Sequence, residues 1–148
     1  MDLTTIPAYL AKWAEQLPEQ VWLRDRQGDT FTEWTWAQAR DEINAVASWL
    51  EQQFEPQTSM AILSRNCAHW IMADLAAISS GNVTIPLFTT LPLETAEYIL
   101  DFAEVEVIFL GQSENWESIK AAVPERVKVI TLPGTDTDAA FSSWESIV

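Results

Sequence analysis

The sequence is poor in most of the residues that direct chemistry uses. It has one cysteine, Cys67, so neither an intrachain disulfide nor a cysteine zinc cluster can form. His69 is the only histidine, which removes His-rich metal sites and His–His acid–base pairs. The four glycines, Gly28, Gly81, Gly111 and Gly134, are scattered. A dinucleotide fingerprint needs three within about six residues so that the backbone can approach a pyrophosphate. Its absence argues against an unrelated α/β nucleotide-binding protein. The lysines are Lys12, Lys120 and Lys128, none after a glycine-rich turn, so there is no phosphate loop. Lys and Arg number 8 against 22 Asp and Glu, a net charge of −14. That charge repels phosphate backbones and anionic lipid and excludes nucleic acid as a partner. Apolar runs stop at four residues, as in Met60–Leu63, where a transmembrane segment needs about 18. The N-terminus, Met1-Asp2-Leu3-Thr4-Thr5-Ile6-Pro7, has no basic segment and no apolar stretch of a signal peptide. The expected location is cytoplasmic.

What is present is a core. Of 148 residues, 48% are hydrophobic, enough for one domain with a buried interior. No internal repeat or low-complexity tract breaks the chain. It divides into residues 1–56, with two helices and a hairpin, and residues 57–148, a βαβ-type parallel-sheet segment. Both are read as parts of one incomplete N-terminal domain.

The first helix is expected from Ile6 to Leu17, capped by Thr5, with Ile6, Leu10, Trp13 and Leu17 on one face. Strands at Val21–Arg26 and Thr30–Thr35 flank the turn Gln27-Gly28-Asp29. Thr35 and Gln38 have capping-box spacing, and the helix after them carries Trp36, Ala39, Ile43, Ala47, Leu50 and Phe54 at helical steps. Strands then follow at Ser59–Leu63, Val83–Leu87, Val107–Leu110 and Val127–Leu132. Between them lie helices at Cys67–Ser80, Leu93–Ala103 and Glu114–Val123. A polar loop over 133–138 and a final helix at Trp144 complete the chain. Strand–helix alternation with short connections predicts an α/β fold, a parallel sheet with flanking helices.

Ligands of such sheets bind at strand C-terminal ends. Gly111-Gln112-Ser113 lies at one such end, with Ser113 as a candidate helix cap; an ordinary strand-to-helix turn is favoured there over an anion site. Arg65, in Ser64-Arg65-Asn66, lies at another and is read as a solvated or ion-paired side chain. Cys67 and His69 point to different sides of a helix and do not form a nucleophile–base pair. The expectation is a buried cysteine and a histidine at the rim. The eight tryptophans are assigned to packing rather than to a sugar platform. Asp101, Glu104 and Glu106 are assigned to a solvated face. No catalytic, cofactor-binding or metal-binding residue is assigned in this chain.

One ordered set of segments resembles a known family. Ala61-Ile62-Leu63-Ser64-Arg65-Asn66-Cys67-Ala68-His69-Trp70 runs on to Ala73-Asp74-Leu75-Ala76. Gly81-Asn82-Val83-Thr84-Ile85-Pro86-Leu87-Phe88-Thr89-Thr90, Glu94–Leu100 and Val107–Leu110 follow, with Trp34–Gln38 upstream. Together they resemble the N-terminal portion of the AMP-forming acyl-CoA synthetases of the adenylate-forming superfamily. They are most similar to the long-chain fatty-acid subgroup, in which Tyr usually stands at the Phe88 position. The resemblance runs from about Pro7 to Trp144 and implies an acyl-CoA synthetase-like fold. It also implies a fatty acid–CoA ligase that uses ATP, magnesium and coenzyme A. The family's phosphate loop, adenine motif, ribose-binding aspartate, hinge and catalytic lysine have no counterpart residues here. The expectation is therefore an N-terminal fragment of a long-chain fatty acid–CoA ligase. It would be inactive alone, would need no cofactor of its own and would tend to self-associate through an uncovered sheet edge. The parent would be cytoplasmic or membrane-peripheral. The alternative is a stand-alone, non-catalytic binding module with the same fold.

Overall fold

The computed structural model describes residues 4–136 and 141–148. Part of the expected polar loop, residues 137 and 138, lies outside the described residues. Helix α1 (Ile6–Gln16) starts at Thr5, whose side chain accepts the Ala8 amide. A hairpin of β1 (Val21–Gln27) and β2 (Thr30–Thr35) follows, antiparallel. Gly28 takes a left-handed φ of 61° at its turn, where a side chain is disfavoured. Helix α2 (Trp36–Gln53) opens on the Thr35–Gln38 capping box, with both hydrogen bonds formed.

The remaining strands are β3 (Ser59–Leu63), β4 (Val83–Leu87), β5 (Val107–Leu110), β6 (Lys128–Thr131) and β7 (Ser142–Ser143). They form one parallel sheet in the order β4-β3-β5-β6-β7. Helices α3 (Ala68–Ser79), α4 (Leu93–Phe102), α5 (Trp116–Ile119) and α6 (Trp144–Ile147) complete the fold. Strand side chains alternate between two interiors. Met60, Ile62, Val107, Phe109 and Ile130 face one cluster with α1, α2, α3 and α6. Ala61, Leu63, Ile108, Leu110 and Val129 face the other, with α4 and α5. Both faces of the sheet are covered, which explains the uninterrupted apolar runs Met60–Leu63 of β3 and Val107–Leu110 of β5.

The structure corrects several local expectations. On α1 only Leu10 and Ala14 are buried, while Ile6 is 60% exposed, so the inward face is narrower than the apolar spacing suggests. Val46 joins the α2 core stripe, and Trp36 and Phe54 lie at its half-buried margins. The expected helix at Glu114–Val123 is one α turn, Trp116–Ile119, followed by a 3₁₀ turn over Lys120–Ala122. Pro124 forces Val123 out of the helical region, which limits that helix. Strand β7, two serines long, was not expected at all.

Candidate functional site

Strand β3 is the first of the parallel set, and the chain places β4 on one side of it and β5 on the other. The strand order thus reverses between β3 and β5. The chain leaves β3 toward α3 on one face of the sheet and β5 toward α5 on the other, the arrangement at which such sheets bind ligands. A cleft of about 580 Å³ occupies this point, between Ser64–Cys67, Gly111-Gln112 and Leu132–Gly134, with Asp25 and Arg26 of the hairpin at its side. A second cleft of about 390 Å³ lies across Ser64–Asn66, toward Trp70 and Phe88.

Two segments marked separately in the sequence meet here. The Arg65 amide donates to the Gln112 carbonyl at 2.8 Å, and the Gly111 amide to the Leu63 carbonyl at 2.9 Å. Gly111 touches Ser64 so closely that a Cβ on it would lie 1.9 Å from Ser64 Oγ. Glycine is required here by contact, not by conformation. Arg65 is paired rather than free: its guanidinium binds the Glu114 carboxylate across the crevice, with Nε at 2.8 Å. Arg65 holds the Glu114 carboxyl below the usual range, with hydrogen bonds from the backbone and Thr89 assisting. Ser113 does not cap the following helix. Asn115 occupies that position, and Ser113 Oγ reaches toward the Thr89 carbonyl at 3.5 Å.

Cys67 and His69 exchange their expected environments. Cys67 is half-buried and is the N-cap of α3, its sulfur accepting the Trp70 amide at 3.3 Å. Burial pushes its thiol pKa up, and the nearby Asp25 charge adds to that, against hydrogen bonds from Trp70 and Ser64. His69 is buried, not at the rim, at 6% exposure. Its Nε2 lies 3.3 Å from Glu42 Oε2, which also accepts from Trp144 Nε1 at 2.9 Å. Trp34 and Trp144 meet the imidazole edge-on. Burial raises the Glu42 carboxyl, but hydrogen bonds from His69, Trp144 and Trp34, with the His69 charge, outweigh it and leave the pKa lowered. This cluster joins β2, α2, α3 and α6, and none of its residues lines either cleft.

The tryptophans pack: Trp144 and Trp116 are buried, and Trp22 stacks on Trp36 with centroids 4.3 Å apart. Asp101, Glu104 and Glu106 are exposed. The charged side chains of the cleft are engaged locally. Arg65 is neutralised by Glu114, Arg26 Nε donates to the Gly28 carbonyl, and Asp25 accepts the Ala68 amide with both oxygens. Among the described residues, no group of three or more His, Cys, Asp or Glu is arranged to hold a metal ion.

A doubly wound parallel sheet with a crevice at its switch point defines a class of ligand-binding α/β scaffold. Within that class, the chain belongs to the family described as "AMP-binding enzyme", whose pattern matches residues 10–146. A methyl-dioxo-octahydroindenyl-propanoyl:CoA ligase of Mycobacterium tuberculosis is 31% identical, the match covering 99% of this chain and 29% of that protein. The long-chain-fatty-acid–CoA ligase heimdall of Drosophila melanogaster is 25% identical, over 97% of this chain and 23% of its own length. The chain thus spans between a quarter and a third of the first relative and under a quarter of the second. Acetoacetyl-CoA synthetase from Streptomyces lividans has the same fold, with a TM-score of 0.83 at 17% identity over 95% of this chain and 24% of that one. The acyl-CoA synthetase-like α/β fold expected from the sequence is present. Among the described residues no helix is long and apolar enough to cross a membrane.

Proposed function

We propose that this chain is the N-terminal part of a long-chain fatty acid–CoA ligase and contributes scaffold rather than catalytic residues. In the whole enzyme a fatty carboxylate oxygen attacks the α-phosphorus of ATP and pyrophosphate leaves. The coenzyme A sulfur then attacks the acyl carbon and AMP leaves. The observation that carries this reading is the family match across residues 10–146 in a chain spanning under a third of its ligase relatives. The long-chain acyl group is supported by the Drosophila relative; the mycobacterial one is named for a ring-bearing propanoyl group. The proposal includes a cytoplasmic location, and one folding unit in which residues 1–56 and 57–148 share a core. Leu10 and Ile43 packing in one cluster with Met60 and Phe109 supports the shared core. It also includes self-association through the edge strand β4, where Val83 is half exposed.

The test uses the native protein, captured from source cells with an antibody to this chain. Its mass is measured, and it is assayed for palmitate- and CoA-dependent conversion of ATP to AMP. A mass several times 16.7 kDa with palmitoyl-CoA formed is expected. Turnover of ring-bearing propanoates but not palmitate would contradict the long-chain assignment. A mass of 16.7 kDa without ligase activity would contradict the ligase reading and favour the second one, a stand-alone binding module. That reading draws support from polar self-sufficiency. Among the described residues every buried side-chain nitrogen and oxygen has a hydrogen-bond partner.

A further inference from the structure

The outer face of α4 has the wrong composition for a solvent face. Ala96 and Leu100 point inward and are fully buried. At 3.6 residues per turn, Tyr98 and Phe102 fall on the opposite side of the helix. They are 64% and 76% exposed and stack on each other, with centroids 5.5 Å apart and planes 14° apart. Two stacked, exposed aromatic rings on one helix face form an apolar patch of the kind that marks contact surfaces. Beside them runs a groove of about 520 Å³, lined by Glu94, Glu97, Tyr98, Asp101, Ala122 and Pro124. Among the described residues no Lys or Arg pairs with the three carboxylates, and the cation of the neighbouring 3₁₀ turn, Lys120, is taken by Glu117.

We propose that this face of α4 docks a cationic amphipathic segment of a partner protein. Charge complementarity selects the occupant. A second copy would bring a net charge of −14 against the same acidic groove. A Lys- or Arg-bearing segment places its cations on Glu94, Glu97 and Asp101. Its apolar side covers the rings and the Ala122–Pro124 wall. Neither the switch-point cleft nor the ligase reading enters this argument.

The experiment titrates the 148-residue chain into a fluorescent 14-residue peptide of alternating Leu-Leu and Lys-Lys pairs, followed by anisotropy. Controls carry Glu for Lys, or Ser for Leu. Saturable one-to-one binding of the first peptide alone is expected. The affinity should weaken by about tenfold in Tyr98→Ser/Phe102→Ser and by a similar factor in Glu94→Gln/Asp101→Asn. Hydrogen exchange of the unaltered chain should show peptide protection centred on Leu93–Phe102, a readout that needs no variant. Three results overturn the proposal: no saturable binding, protection elsewhere, or unchanged affinity in both double variants, which would mean diffuse attraction to an acidic chain. A concentration-dependent dimer abolished by Tyr98→Ser/Phe102→Ser would also overturn it and assign the face to a second copy.

Discussion

Asp25, in the hairpin, accepts the backbone N–H of Ala68, at the first position of α3, with both carboxylate oxygens at 2.8 and 3.0 Å. The two residues are 43 positions apart, and the contact ties the first part of the chain to the parallel sheet. It also places a negative charge at the positive end of α3. Asp25→Ala should therefore destabilise the chain by about 1–2 kcal/mol, and Asp25→Asn by less, because Asn still accepts the amide. Urea unfolding followed by circular dichroism measures both. Equal stability of all three proteins would mean that the hairpin is not anchored by this bond.

Gly111→Ala should destabilise by about 1–3 kcal/mol or more, because its Cβ would overlap Ser64 and overpack the β3–β5 junction. Ser64→Ala should not rescue it, since the Ser64 Cβ itself would lie 2.4 Å from the new carbon. Ser64→Gly should rescue it in part. A double-mutant cycle with no coupling would contradict the close approach.

Glu42 sets a pH dependence. Its carboxyl pKa is lowered in the folded protein, so its contribution is present above the ordinary carboxylate range and is lost as pH falls through the folded value. The stability difference between the unaltered chain and Glu42→Gln should be largest near neutrality and should shrink in acid. A difference independent of pH would show that Glu42 contributes by shape alone. Trp144→Ala, which removes a fully buried ring and a donor to Glu42, should cost about 3–5 kcal/mol.

Cys67 should be a slow thiol. Burial and the Asp25 charge disfavour its thiolate, and its sulfur is occupied as a helix cap. Alkylation by iodoacetamide at pH 7.5 should run slower than that of free cysteine. A faster rate would restore Cys67 as a candidate nucleophile.

Self-association should respond to salt. The net charge of −14 keeps copies apart at low ionic strength, and screening lets the edge of β4 engage. Light scattering should show mass rising with chain concentration at high salt. A constant monomer mass at every salt concentration would contradict self-association through that edge.

Two local signals in the sequence were accurate. The Thr35–Gln38 capping box and the turn at Gly28 depend on neighbours within three residues, and both are where the spacing puts them. The apolar runs Met60–Leu63 and Val107–Leu110 gave central strands because a sheet buried on both faces leaves no polar positions. What was illegible depended on distance. Glu42 and Trp144 are 102 positions apart, and only the fold reveals that both contact His69. β7 is two serines paired to β6, with no periodicity to read. Arg65 and Gln112 were each marked as strand-end residues, but their meeting follows from β5 lying next to β3, which strand order alone decides.

The most direct test of the scaffold claim is exchange of radiolabelled pyrophosphate into ATP by the purified 148-residue chain in the presence of magnesium and palmitate. The account predicts no exchange above a protein-free blank, since it assigns no catalytic residue to this chain and Arg65 at the cleft is paired with Glu114. Palmitate-dependent exchange that disappears in Arg65→Ala would contradict it, placing the adenylation chemistry within this chain.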